Sequence, residues 1–273
     1  MGRADLFAEA GGLKMVDGTA VAFQIIEKEG HRALELPFPG PKTGVRHLFG
    51  LRGPRPVEIL AKQFGVREAG ILSVRQVHGD SIWVVGASGN TDIPDRGFIP
   101  SAQDRACDAV VTNRSGLAIT VRTADCLPIL IWDEAKKVAA AVHAGWRGSL
   151  KAIASKTVLT MRTSFGCRAD DLWVGIGPAI GPCCYEVDGP VLGPLRKEFE
   201  YWKEVVRVTG GDKGMLDLAG LNLRQMIASG VPPERVSIAG ACTFCHPERF
   251  YSYRRDGHSA GGMINGIMIC SDE

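Results

Sequence analysis

Apolar residues in this chain come in short blocks, separated by clusters of glycine, proline and small polar residues. That punctuation is the pattern of buried or half-buried strands joined by turns. Residues 21–26 and 32–36 predict a hairpin near the start. A Pro/Gly-rich connection follows, with Pro37, Pro39, Gly40, Pro41, Gly44, Pro54 and Pro56, and residues 57–64 predict a short helix. Six β-rich runs come next, at 71–77, 82–85, 109–112, 117–121, 128–132 and 138–142. Three more lie at 172–176, 236–239 and 264–269, with a helix over 216–229 among them. The strongest helical signal covers 149–165. There Leu150, Ile153, Ala154, Val158, Met161 and Phe165 recur on one face at helical spacing, Ser149 is the expected N-cap and Gly166 the expected stop. A polar stretch from Gly86 to Asp108 reads as a lid, binding loop or excursion. No repeat, low-complexity tract or composition break divides residues 1–273. The expectation is one α/β domain with a large, partly buried sheet.

Composition narrows the function classes. Lys+Arg 32 against Asp+Glu 30 leaves a net charge of +2 in 273 residues, so no strong basic field for nucleic acid is expected. No apolar run is long enough to span a membrane. The opening Met1-Gly2-Arg3-Ala4-Asp5-Leu6 has no apolar core behind its basic residue, so a cytoplasmic location is the expectation. The 8 Cys are too sparse for a disulfide scaffold and are read as core residues, metal ligands or nucleophiles. A multi-site metalloenzyme or multihaem carrier would need more ligands than 6 His and 8 Cys, whereas one small metal site needs far fewer.

Three polar residues close apolar runs. His78 ends Val74-Arg75-Gln76-Val77-His78-Gly79. Cys126 lies in Thr123-Ala124-Asp125-Cys126-Leu127-Pro128, and His143 ends Ala141-Val142-His143-Ala144-Gly145. If these strand ends share one sheet edge, two imidazoles and a thiolate converge. Such a set suits zinc and leaves a fourth position open. The spacing itself matches no local zinc motif, so a satisfied histidine or buried thiol is the competing reading of each residue alone.

Anion-binding candidates lie nearby. Ala144-Gly145-Trp146-Arg147-Gly148-Ser149 leads into a helix, and a helix N-terminus at Gly148–Ser149 would present free N–H groups beside the Arg147 fork. A plain strand–turn–helix corner is the alternative. Phe250-Tyr251-Ser252-Tyr253-Arg254-Arg255-Asp256-Gly257 fits a strand with one polar face, whose Arg254 or Arg255 meets either an anion or a carboxylate. Cys242-Thr243-Phe244-Cys245-His246 spells the C-x-x-C-H haem-attachment pattern. Covalent haem needs export, so a structural or weakly redox-active thiol pair is the better reading.

Taken in order, these motifs resemble the YfiH-like family, also called the laccase-domain or polyphenol oxidase family, now described as purine nucleoside phosphorylases. They are Q-V-H-G at 76–79, Asp108 to Pro128, His143 to Gly148, Gly177-Pro178-Ala179-Ile180-Gly181-Pro182-Cys183-Cys184-Tyr185-Glu186-Val187, and Phe250 to Arg255. The resemblance covers roughly residues 45–269. It implies a single α/β domain layered α/β/β/α with a mixed sheet, and one zinc held by His78, Cys126 and His143. It also implies phosphorolysis of adenosine, inosine, guanosine and methylthioadenosine, with deamination of adenosine. Some bacterial members resemble a factor that edits peptidoglycan precursors. The chain departs from the family pattern at Ser259-Ala260-Gly261-Gly262, where a T-G-R is usual, and Arg52 matches an early arginine motif only loosely.

Phosphorolysis needs a bound phosphate aimed at the ribose and donors that stabilise developing charge. Arg147, Gly148, Ser149, Arg52, Arg254 and Arg255 are the candidate donors. Asp125, beside Cys126, is read either as a proton-transfer group or as a turn cap. Multicopper oxidation is rejected, because it needs a histidine-rich cluster beyond a His2Cys copper. A Cys–His hydrolase with Cys126 as nucleophile, suited to an editing amidase, is the alternative enzyme. A binding module using the 86–108 loop is the non-enzymatic one.

Overall fold

The computed structural model describes residues 24–28, 31–36, 44–86 and 105–271. In chain order the strands are β1 (Gln24–Lys28), β2 (His31–Glu35), β3 (Val45–Gly50), β4 (Ile71–Ser73), β5 (Ile82–Val85), β6 (Ala109–Thr112), β7 (Ala118–Thr123) and β8 (Leu127–Asp133). They continue with β9 (Val138–Ala144), β10 (Trp173–Ile176), β11 (Glu186–Val187), β12 (Val206–Gly210), β13 (Lys213–Leu216), β14 (Val236–Ile238) and β15 (Met263–Ile269). The helices are α1 (Pro56–Phe64), α2 (Trp146–Leu150), α3 (Ile153–Phe165), α4 (Gly189–Glu198), α5 (Trp202–Val205), α6 (Leu218–Ala228) and α7 (Tyr253–Asp256).

One sheet runs β1-β2-β3-β15-β7-β4, a second β14-β10-β8-β9-β6-β5, and a small third β11-β13-β12. Both large sheets are mixed: β4–β7, β5–β6 and β10–β14 are parallel, and the other pairs are antiparallel. The two large sheets stack face to face, and side-chain alternation explains why. Ala139 and Ala141 of β9 face inward with Leu130 and Trp132, against Phe49, Ile119, Val121 and Ile267 of the first sheet. Val138, Ala140, Val142 and Ala144 face the other way, onto Ile153, Ala154, Val158 and Met161 of α3 and Leu221 of α6. Leu60 and Phe64 of α1 cover the outer face of the first sheet at Leu48, Ala118 and Met268. The layering is therefore α/β/β/α, as the resemblance implies.

Several expectations change. The helix expected over 149–165 is two helices. Gly145 caps α2 at its start, and Ala152 adopts a left-handed conformation, φ 57, which breaks the run before α3. Ser149 is thus inside α2 and is not a cap. The run 71–77 is a strand only to Ser73. The segment 250–257 is not a strand: it ends in α7, where the Ser252 side chain accepts from Arg255 N–H as an N-cap. The C-x-x-C-H segment leads into turns. Residues 21–23, most of the Pro/Gly connection at 37–43 and loop positions 87–104 lie outside the described residues. Among the described residues, no helix is long and apolar enough to cross a membrane.

Candidate metal centre and pocket

His143 is at the C-terminal end of β9, on the inward parity of Ala139 and Ala141. Instead of another apolar contact it meets Asp108, just before β6: Nδ1–H donates to Asp108 Oδ1 at 2.8 Å, and both side chains are buried. The same carboxylate accepts backbone N–H groups from Val77 (3.3 Å), His78 (2.9 Å) and Gly79 (2.7 Å). This grip holds His78 at φ 57, a conformation that non-glycine residues rarely adopt. Cys126 sits in the tight turn between β7 and β8. The three ligand atoms of His78, Cys126 and His143 lie within 4.8 Å of one another. The two imidazoles meet edge to face with centroids 4.8 Å apart. Gly145 closes this corner: a Cβ there would stand 3.0 Å from Cys126 Sγ and 3.4 Å from His78 Cδ2.

The electrostatics favour metal binding. Burial pushes the Cys126 thiol up, but hydrogen bonds and positive charge from His143 and His78 outweigh it and bring it down to about 7. Burial lowers His143, whereas Asp108 and the Cys126 sulfur raise it to about 9. Asp108 resists its own burial through its bonds to His143, Gly79 and Val77, which keep its carboxyl below the usual range. With Nδ1 committed to Asp108, His143 presents Nε2 to an ion, the arrangement of a carboxylate-oriented metal ligand. Two imidazoles and a readily ionised thiol, with no fourth donor in the cluster among the described residues, fit one borderline-soft divalent ion with an open position.

The triad opens into a cavity of about 1070 Å³ at the rim between the two sheets. Its walls include Arg147, Arg254, Trp146, Tyr185 and Tyr253. Arg147 stacks on Trp146 with its guanidinium carbon 4.2 Å from the ring centroid. Arg254 lies 5.3 Å from the centroid of Tyr185 and donates to the Glu186 carbonyl at 3.0 Å.

Other expected site residues are placed differently. Asp125 reaches the pocket, but both carboxylate oxygens are occupied: Oδ1 accepts from Thr243 Oγ1 (2.5 Å), and Oδ2 accepts from Ser252 Oγ (3.0 Å) and Arg254 N–H (2.6 Å). Gly148 and Ser149 are buried outside the pocket lining. Ser149 N–H bonds to Gly145 O, its Oγ accepts from Asn222 and its carbonyl from Gln225. Gly148 packs tightly on Gly79, whose carbonyl a Cβ would meet at 2.7 Å. Arg52 pairs with Asp256 at 3.5 Å and sits over Tyr251. Arg255 is spent on Asp256 and on the carbonyls of Thr243, Phe244 and Phe250. Of the six expected anion donors, the pocket therefore gathers Arg147 and Arg254.

Sequence reasoning assigns no role to Asp108, Tyr185 or Arg122. A carboxylate opening an otherwise apolar strand was the available signal for Asp108, because a buried acid requires partners. Tyr185 was visible in the Cys-Cys-Tyr-Glu run without a role. Arg122 lines the pocket on β7 opposite Gly262, where a Cβ would meet its Cγ at 2.7 Å.

A two-sheet α/β sandwich with a His2Cys corner at its rim defines the class. The chain belongs to the family described as multi-copper polyphenol oxidoreductase laccase, whose model matches residues 55–270. A purine nucleoside phosphorylase of Bacteroides thetaiotaomicron is 37% identical over 163 residues, 59% of this chain and 60% of that protein. The match thus spans less than two thirds of that relative. Purine nucleoside phosphorylase YlmD of Geobacillus stearothermophilus is 36% identical over 199 residues, 69% of this chain and 68% of its own. Its crystal structure superposes with a TM-score of 0.76 at 30% identity, covering 90% of this chain and 99% of that one. Adenosine deaminase RL5, from an unknown prokaryote, is 33% identical over 210 residues, covering 76% of this chain and 78% of its own.

Proposed function

We propose that this chain is a zinc-dependent purine nucleoside phosphorylase with adenosine deaminase side activity. The observation that carries the reading is the convergence of His78, Cys126 and His143 on a pocket flanked by three arginines (Arg122, Arg147 and Arg254) and three aromatic rings. The names of the relatives agree with it: two are called purine nucleoside phosphorylases and one an adenosine deaminase. A bound zinc would supply Lewis acidity beside the reacting group. Arg147 and Arg254 offer charge-assisted donors to phosphate. Trp146, Tyr185 and Tyr253 offer flat faces to a purine. A reducing cytoplasm suits the eight free cysteines.

The family's description invokes several coppers, which this donor set does not support. Among the described residues, His78 and His143 are the only histidines in a metal-type cluster, and no histidine-rich second cluster accompanies them. One observation favours a second reading. Cys126 lies beside His143, whose far ring nitrogen is held by Asp108, and the contact draws the thiol down and the imidazole up, the arrangement of a Cys–His hydrolase suited to an editing amidase.

The test incubates pure protein with adenosine, with and without phosphate, and separates the products by chromatography. Adenine with ribose 1-phosphate, formed only with phosphate, supports phosphorolysis, and inosine supports deamination. No nucleoside turnover by metal-loaded protein, with cleavage of a muramoyl amino-acid substrate, would sink the reading.

A further inference from the structure

Four cysteines meet outside the pocket. Cys183 and Cys184 lie in the turn that follows Gly181-Pro182, and Cys242 and Cys245 in a second turn. Backbone bonds clip the turns together: Ala179 N–H donates to Ala241 O, and Thr243 N–H to Ala179 O. All four sulfurs lie within 4.8 Å of one another, with Cys183–Cys245 at 3.6 Å and Cys184–Cys245 at 3.4 Å. A disulfide would require about 2.05 Å. Four sulfurs held tetrahedrally at about 2.3 Å from a zinc stand roughly 3.8 Å apart, close to the observed spacing. Backbone N–H groups also aim at sulfur. Gly181 N–H donates to Cys242 Sγ at 3.2 Å, the kind of bond that stabilises a thiolate. The Arg255 guanidinium, fixed on the Thr243 and Phe244 carbonyls, brings positive charge beside a cluster that would otherwise hold only negative charge.

We propose that Cys183, Cys184, Cys242 and Cys245 form a second metal site, a closed tetrathiolate that takes Zn2+. Binding forms four Zn–S bonds and releases the thiol protons to solvent, with no change in oxidation state. Its role is structural. It pins the turn carrying Ile180 and Tyr185 of the pocket wall to the turn whose Thr243 hydroxyl holds Asp125. The C-x-x-C-H spelling is then half of a metal knuckle formed with the Cys-Cys pair.

Elemental analysis of full-length protein purified from zinc-supplemented cells tests the site. Two zinc per chain are expected in wild type, one in Cys242→Ser/Cys245→Ser and one in Cys126→Ala. Loss of zinc from the second variant alone would support the pocket site and overturn this one. Should the double variant fold poorly, Cys183→Ser, at an exposed position, and a wild-type measurement decide. Anaerobic mass analysis of native wild type should find no disulfide among the four, and thiol labelling should reach them only after zinc is removed. A disulfide in that protein, or labelling unaffected by zinc removal, overturns the proposal.

Discussion

Asp108 and His143 form one unit: the imidazole Nδ1–H donates to Asp108 Oδ1 at 2.8 Å, and neither side chain is more than 3% exposed. The same carboxylate fixes the backbone of residues 77–79, so one buried acid orients both histidine donors. Asp108→Asn keeps the size but loses the charge and offers an N–H2 where only an acceptor fits. Zinc affinity is expected to fall about 10–100-fold, the usual cost of losing a carboxylate behind a histidine ligand. Competition against a chromophoric chelator measures it. Unchanged affinity would show that Asp108 serves folding alone.

That relationship marks the limit of what was legible beforehand. Strand ends predict which donors lie near turns, and β9 and the β7–β8 turn deliver His143 and Cys126 as expected, because short apolar runs define sheet edges well. The α/β class was legible at the same level, whereas the α/β/β/α layering followed only from the family resemblance. Helix continuity was not. A smooth apolar face runs through 149–165, yet Ala152 turns left-handed while Asn222 and Gln225 anchor Ser149 from α6. Likewise, nothing local shows that Arg255 is consumed by carbonyls from residues 243, 244 and 250, since those contacts form only when the loops fold together.

Ser149 tests that distinction. Its hydroxyl accepts from Asn222 Nδ2 at 2.8 Å in a fully buried position. Ser149→Ala leaves that donor short of a partner and should cost roughly 1–3 kcal/mol in denaturant unfolding. The phosphate KM should not move. A raised KM with unchanged stability would restore Ser149 to the anion site.

Arg147 should behave in the opposite way. It is exposed, stacked on Trp146, and lines the pocket. Arg147→Met retains apolar contact with the ring and removes the charge. A charge-assisted bond is worth about 1.5–3 kcal/mol, so kcat/KM for phosphate should drop on the order of 10–100-fold with stability nearly intact. An unaltered phosphate dependence would move the anion site elsewhere.

His47, on β3, gives the fold an acid-sensitive point. Its Nε2 bonds to the Leu36 carbonyl at 2.7 Å, and burial lowers its pKa from 6.5 to about 4 despite that bond. The folded chain therefore prefers the neutral ring. Stability is fully present above about 6.5 and is lost as pH falls toward 4, by roughly 3 kcal/mol when complete. His47→Gln retains an N–H donor without titrating, so its unfolding free energy should decline less than wild type over that window. Parallel declines would assign the acid sensitivity to other groups.

Asp125 decides between chemistry and scaffolding. Its φ of 92 and its three accepted hydrogen bonds tie the turn before Cys126 to Thr243, Ser252 and Arg254. Those bonds fill both sites of Oδ2 and one of Oδ1, so proton transfer could run only through the remaining position on Oδ1. Asp125→Asn replaces one accepting oxygen with a donor facing donors, and should cost roughly 2–4 kcal/mol. The pocket loops would loosen together, raising KM for nucleoside and phosphate alike. The discriminating readout is the pH profile of adenosine deamination. A proton-transfer group takes its limb of the profile with it when replaced. A scaffold leaves both limbs in place and lowers the plateau between them.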